Sequence, residues 1–418
     1  MLKKWALSES HVVAKNLNLA WSNFDPLYPL PADCPFYVER EDKPLNKLKR
    51  ALLREHRQPP KYFFPGHRGC GKSTELNRLA VDEEINQKFF VVKYSVKDIC
   101  DVNNLSYIDV LFSLGAQLFI EYSDSGKELR PELIKALENW KNDVVEQVRE
   151  EIESFETSIE GGLKAFFISV LSKFRSEDNT TKTIRTKIEP RLSELIEKIN
   201  LIVADIEGKE KKKVLVLIDD MDKPNLAQAK KIFYDYNTAI TQPACSIVFT
   251  VPISIFFSQE FTAIRETRFF LPNVKLHHRN EKNRMDEKGF NLMSYFIFHR
   301  MKEDLIEPDA CEYAIKMGAG IFRETARIMQ ICADNAIASG RIRIIKDDVV
   351  RAESEIRSDF KRMLTSEDYV ILKSICENNE MHGIEKIGHL LHNLSILEYM
   401  NDETWCDIHP TLEKLINP

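Results

Sequence analysis

The chain has 418 residues, 43% hydrophobic and 10% aromatic, which is globular composition and enough length for two or three domains. A net charge of −6 and a pI near 6.0 exclude a global electrostatic pull toward nucleic acid or acidic membranes, although a local basic face stays open. No apolar run approaches the ~18 residues of a spanning helix, and the eight cysteines (34, 70, 100, 245, 311, 332, 376, 406) form no C-x-x-C pair, so reduced thiols in a cytoplasmic protein are expected, without a zinc or disulfide framework.

The opening Met1 to Ser10 has two lysines but no apolar stretch of signal-peptide length, and residues 1–35 read as an N-terminal extension. Phe36 and Tyr37 stand ahead of the core and could touch a nucleotide base, with nothing to separate adenine from guanine. Tyr62 to Pro65 is strand-like and runs directly into Gly66, His67, Arg68, Gly69, Cys70, Gly71, Lys72 and Ser73, which fits G-x-x-x-x-G-K-[ST]. Glycines at these places let backbone N–H groups turn inward around anionic oxygens, and the helix that starts near Lys72 and carries Thr74 aims its positive dipole end at them. Lys72 is expected to reach the β- and γ-phosphates of ATP and Ser73 to ligate Mg²⁺.

After one more strand candidate, Phe89 to Ser95, the stretch before the next apolar strand is longer than one strand and its helix require. Residues 123–210 are rich in Glu and Lys, and Leu192 to Ile202 repeats apolar positions near i, i+3, i+4, i+7, so a helical insertion standing off the sheet is expected. Within it, Gly161 to Phe174 is either packed core or a stripe that lies on a membrane or an effector. Val214 to Ile218 is a five-residue apolar run that opens onto Asp219, Asp220 and Asp222, as a buried parallel strand opens onto a polar site at its carboxyl end. Asp219 is placed to hold the Mg²⁺ shell. Cys245 to Pro252 is a further strand candidate with Thr250 near its end, followed by a helical stretch from Ile253 to about Thr267 and another strand candidate from Phe269 to Leu276; Arg265 and Arg268 sit at that junction.

These elements define an α/β class: a P-loop NTPase core (36–122 and 211–282) with a parallel sheet, for which the family resemblance given below implies the order 5-1-4-3-2, the insertion (123–210), and an α-helical lid of four segments (283–360). The last part (361–418) has two helices and then Leu397 to Ile408, a hairpin wing around Asn401-Asp402, which suggests a winged-helix-like module. From Ser366 onward three Lys/Arg face ten Asp/Glu, so this module favours a protein contact over duplex binding.

The order of elements resembles the additional-strand P-loop ATPases at the border of AAA+ and STAND proteins. Asp219-Asp220-x-Asp222 is similar to the D-D-x-D of STAND and KAP-type NTPases, and Gly318 to Ala336 resembles the G-x-x-R-x-x-x-R helix of origin-recognition and STAND lids. The resemblance implies Asp220 as the water-polarising acid, one methylene shorter than the usual glutamate, and Thr250 as a polar sensor. It also implies Arg265 or Arg268 as an arginine offered to a neighbouring subunit, and Arg323, with Arg327 second, as the lid arginine that closes on the γ-phosphate. The implied function is an ATP-hydrolysing, oligomeric switch controlling a separate effector protein, in a setting such as bacterial anti-phage defence. A DNA-handling AAA+ loader and a scaffold that holds nucleotide without hydrolysis remain as alternatives.

Overall fold

The computed structural model describes residues 11–40, 43–152, 162–176, 178–257, 260, 264, 266–279, 281–378, 384–400 and 404–416. Its main sheet has five strands, β1 (Lys61–Gly66), β2 (Phe89–Ser95), β3 (Lys213–Asp219), β4 (Ser246–Pro252) and β5 (Thr267–Arg268), all paired in parallel in the order 2-3-4-1-5. This is the expected order read from the other edge. β3 and β4 are central and covered on both faces, which is why they are runs of mostly apolar residues rather than alternating ones. Register aligns Ser95 with Asp219, Ile218 with Phe249 and Gly66 with Pro252, so the loops after β1, β2 and β3 open on one edge. β4 lies between β1 and β3, which separates the phosphate-loop strand from the acidic strand by one added strand.

The strand expected over Phe269–Leu276 is displaced. β5 covers only Thr267–Arg268, and the chain then follows β1 through bonds from Phe269 N to the Phe63 carbonyl (2.9 Å) and from Leu271 N to the Pro65 carbonyl (2.8 Å) until Pro272, which has no N–H to continue the ladder. Where a helix is expected after Pro252 the chain begins with a 3-10 turn at Ile253–Phe256, and most of the rest of that stretch, residues 258, 259, 261–263 and Arg265, lies outside the described residues.

The insertion does not stand off. Its helices Pro131–Glu151, Gly162–Lys173, Asn179–Ile188 and Leu192–Glu210 close around the helix Tyr107–Asp124, whose residues are nearly all buried, and share one apolar core with Phe63, Val92, Val214 and Phe249 of the sheet. Phe166 and Phe167 pack on Phe112 at ring separations of 6.2 and 5.7 Å, so the Gly162–Lys173 stripe is core and not a membrane-facing surface. Helical periodicity shows which face of each segment is buried but not what buries it. Here the partner is the sheet's own covering helix.

Residues 283–360, the expected lid, carry the helices Glu287–Phe298, Pro308–Met317, Phe322–Ala338 and Lys346–Met363. Helices Ser366–Asn378 and Ile384–His392 follow, and then an antiparallel hairpin, Ile396–Met400 with Thr404–Ile408, in which Tyr399 faces Trp405. The turn at Asn401-Asp402 lies outside the described residues, as do Met1 to Ser10. Lid and tail share a single core, joined by Leu17, Ala20 and Phe24 of the helix Leu17–Asn23 and its end. Among the described residues no helix is long and apolar enough to cross a membrane.

Candidate functional site

The site is built where β1 passes into the helix Lys72–Val81. Gly69 (φ 84°) and Gly71 (φ 105°) hold left-handed backbone that an L side chain resists, and a Cβ on Gly69 would lie 2.4 Å from the Cβ of Arg323. Gly71 is the residue from which the helix starts, so Lys72 and Ser73 occupy its first positions.

Lys72 is almost fully enclosed, and its ammonium has three partners: the carbonyls of Gly66 and His67, each at 2.8 Å, and the carboxylate of Asp222 at 2.9 Å. Both side chains of this ion pair are buried, at 4% and 5% exposure. Burial works against either charge, but the pairing overrides it, holding Lys72 above the ordinary lysine range and Asp222 below the carboxylate range.

Asp219, at the end of β3, accepts the N–H of Asp220 (2.8 Å), with Lys93 Nζ 3.8 Å away and the Ser73 hydroxyl near enough to act on its carboxyl. Burial, and then the neighbouring Asp220, pushes its carboxyl up to about 6. Ser73 and Asp219 are therefore side by side, a hydroxyl and a carboxylate of the hard-oxygen kind that suits Mg²⁺. Asp220 has φ 62°, and its carboxylate turns toward β2, accepting from Ser95 Oγ at 2.7 Å, with Lys223 Nζ at 3.7 Å.

Thr250, expected to present its hydroxyl to a phosphate, spends it on backbone. Its Oγ1 accepts from Met221 N (3.0 Å) and donates to the Ile218 carbonyl (3.4 Å), and the residue is fully buried. It fixes the acidic turn against β4. Arg323 is brought to the loop, with its backbone N–H donating to Gly69 O (3.2 Å) and its Nε to Pro26 O (3.1 Å). Arg327 is drawn away to Asp359 (2.5 Å). Arg268 is not assembled with the loop; it sits on the edge strand β5 with its guanidinium 5.5 Å from the centre of the Phe256 ring.

Three more segments close on the loop. Residues 26–32 run along its helix, with Leu30 N donating to Thr74 Oγ1 (3.2 Å) and Asn77 Nδ2 to Leu30 O (2.7 Å). Arg40, 4% exposed, donates to the carbonyls of Cys70 and Pro272 and lies over the Phe322 ring. The hairpin reaches the loop through Glu398, whose N–H donates to His67 Nε2 at 2.8 Å. Burial takes His67 down to about 3 and His392 down to about 4, so both imidazoles are neutral at pH 7. Burial also raises Glu398 to about 7. Cys70 is fully buried beneath the loop. Phe36 packs against Arg300 (5.2 Å), and Tyr37 donates to Glu75 (3.2 Å) beneath Arg78 (3.8 Å). Tyr37 thus lines a cleft of about 320 Å³ with Arg40, Lys49, Glu75 and Arg78.

Asp222, Arg40, Arg68 and His67 carry more of the architecture than sequence reasoning assigned to them. Arg68 donates to the carbonyls of Asp222 (3.2 and 3.3 Å) and Lys223 (2.7 Å), tying the phosphate loop to the acidic turn. Only Asp222 had a usable signal, as the third acid of a cluster at a strand end.

A phosphate loop after β1, an acidic turn after β3 and the sheet order 2-3-4-1-5 together make this the α/β core of a P-loop NTPase. No family model matches the chain, and no curated protein does. Among solved structures it is similar to Cdc6p from Pyrobaculum aerophilum, 12% identical over 94% of this chain and 95% of that one with a TM-score of 0.43. It is similar also to Drosophila ORC bound to DNA (10% identical, 100% and 96% covered, TM-score 0.43) and to the Thermotoga maritima RuvB Holliday junction branch migration motor (12%, 91% and 95%, TM-score 0.33). At such distances, function has to come from this chain's own residues.

Proposed function

We propose that the chain is a Mg²⁺-dependent ATP-binding and hydrolysing switch of the STAND/AAA+ kind that assembles into a homo-oligomer and controls a separate effector protein. The observation that carries this is the meeting, at the carboxyl edge of the sheet, of Lys72 and Ser73 at the start of their helix with the acidic turn, Lys72 paired with Asp222 and Ser73 beside Asp219. When bound, Mg²⁺ supplies positive charge against the phosphate oxygens, and Ser73 and Asp219 are the residues that would hold it. Lys72 neutralises the phosphates, the loop N–H groups orient them, and Asp220, anchored by Ser95, is the acid available to a water. Arg323, on the first turn of its lid helix, lets the lid respond to what the loop holds, so closure is biased by nucleotide. Arg268, on the sheet edge, is the arginine offered to a neighbouring copy, with Arg265 beside it in sequence. The defence setting rests on the family resemblance alone.

The test combines light scattering with turnover. Slowly hydrolysed ATP with Mg²⁺ should increase the mass of the wild type but not of Arg268→Ala, and Asp220→Asn should lower turnover at least ~100-fold, the scale of a lost acid–base group. A single mass for the wild type under all conditions, with turnover untouched in Asp220→Asn, would rule out this switch.

A nucleic-acid reading draws on one observation. A cleft of about 450 Å³ is lined by Lys47, Arg50, Arg54 and His56 over Tyr62 and Phe269. Lys47, Arg50 and Arg54 form no ion pair among the described residues. DNA binding that falls steeply between 50 and 200 mM salt, roughly ten-fold or more, and is lost in Arg50→Glu/Arg54→Glu would establish that reading. No such binding is expected if the protein-contact reading holds.

A further inference from the structure

We infer that Asp222 is a built-in competitor for the phosphate site, a carboxylate that holds the phosphate-loop lysine and must be exchanged for a nucleotide phosphate before binding is complete. This rests on the nucleotide reading above.

An ammonium has three N–H donors, and those of Lys72 go to Gly66 O, His67 O and Asp222 Oδ2. None is left over for a phosphate, so an incoming nucleotide has to take one of these places. The two carbonyls belong to the loop that bears the lysine. Asp222 alone brings a negative charge, and it is the partner whose chemistry a phosphate oxygen reproduces: anionic, acceptor-only and charge-assisted. Two cations stay near the displaced carboxylate: Arg68, bonded to the Asp222 carbonyl, and Lys223, the next residue in the chain, 3.7 Å from Asp220. Arg68 further fixes the distance between loop and acidic turn by bonding the Asp222 and Lys223 carbonyls. Two alternative counter-ions for one buried lysine make a two-state element in which observed nucleotide affinity equals intrinsic affinity scaled by the fraction of lysine released.

Removing the charge at 222 while keeping an acceptor should therefore tighten binding. Asparagine can still accept from Lys72, so the fold keeps a partner for the ammonium. The experiment is stopped-flow and equilibrium binding of a fluorescent ATP analogue with Mg²⁺ to the full chain, comparing wild type, Asp222→Asn, Asp222→Ser and Asp222→Glu, each checked by thermal melting. The expected result is association faster and affinity tighter by ~10-fold or more in Asp222→Asn, and in Asp222→Ser should the first not fold, with Asp222→Glu close to wild type. A residue that only supports the fold would lower the melting temperature without accelerating association. If wild type binds and the neutral variants bind no faster and no tighter, the competitor role is overturned and the nucleotide site stands. Binding by none of the four overturns both.

Discussion

Replacing Asp219 by asparagine is expected to raise thermal stability at pH 7.5 while removing the Mg²⁺-dependent part of nucleotide affinity. Burial raises its folded pKa from 3.8 to about 6, with Asp220 adding to the effect. The sign follows from proton linkage. Between those two values the folded protein binds a proton that the unfolded chain does not, so the stability contributed by Asp219 is present below about pH 4 and is lost as pH rises through about 6. At pH 7.5 the residue is an ionised, desolvated carboxylate, a cost that the proposed Mg²⁺ site would offset. Asparagine can accept the same bond from the Asp220 N–H without that charge. Calorimetry should show the variant melting a few degrees higher at pH 7.5, with the difference shrinking as pH falls through 6 and vanishing below about pH 4, and nucleotide binding that no longer responds to Mg²⁺. A variant less stable than wild type at pH 7.5 would refute this. Asp222 behaves oppositely: its folded pKa is depressed, so its contribution is present above the unfolded carboxylate range and disappears as pH falls. Acids three positions apart on one turn thus pull stability in opposite directions.

The second large effect concerns the Lys72–Asp222 pair. Lys72→Met alone strands a carboxylate at 5% exposure, and breaking a buried pair from one side typically costs about 3–5 kcal/mol. Lys72→Met/Asp222→Leu removes both charges and should recover most of that loss, since a hydrophobic pair of similar volume is often neutral or better in such a place. Urea melts of both single variants and the double variant measure the coupling directly. A double variant as unstable as the two single losses added together would mean that the residues are not partners.

Local chemistry made much of the core legible. Glycines at 69 and 71 are demanded by their own backbone angles, the apolar run of β3 by burial on both faces, and the acids after it by their place at a strand end. Other features depended on contacts between residues far apart in the chain. Glu398 reaches His67 across 331 positions and Arg323 reaches Pro26 across 297, and no local pattern in either segment encodes the meeting. Thr250 was visible as a hydroxyl near a strand end, but its direction is set by the neighbouring acidic turn, whose Met221 N–H needs an acceptor. The insertion was recognisable by period and charge, while its seat against the helix Tyr107–Asp124 depends on aromatic packing between segments that look interchangeable in sequence.

The most direct test is calorimetric titration of MgATP into wild type and into the folded Lys72→Met/Asp222→Leu variant. If Lys72, Ser73 and Asp219 form one Mg·nucleotide site, wild type binds with heat that depends on Mg²⁺ and the double variant loses affinity by ~100-fold or more, as expected when a buried, charge-assisted phosphate contact is deleted. Equal binding by the two proteins, or none by wild type, would show that the loop is not the nucleotide site proposed for it.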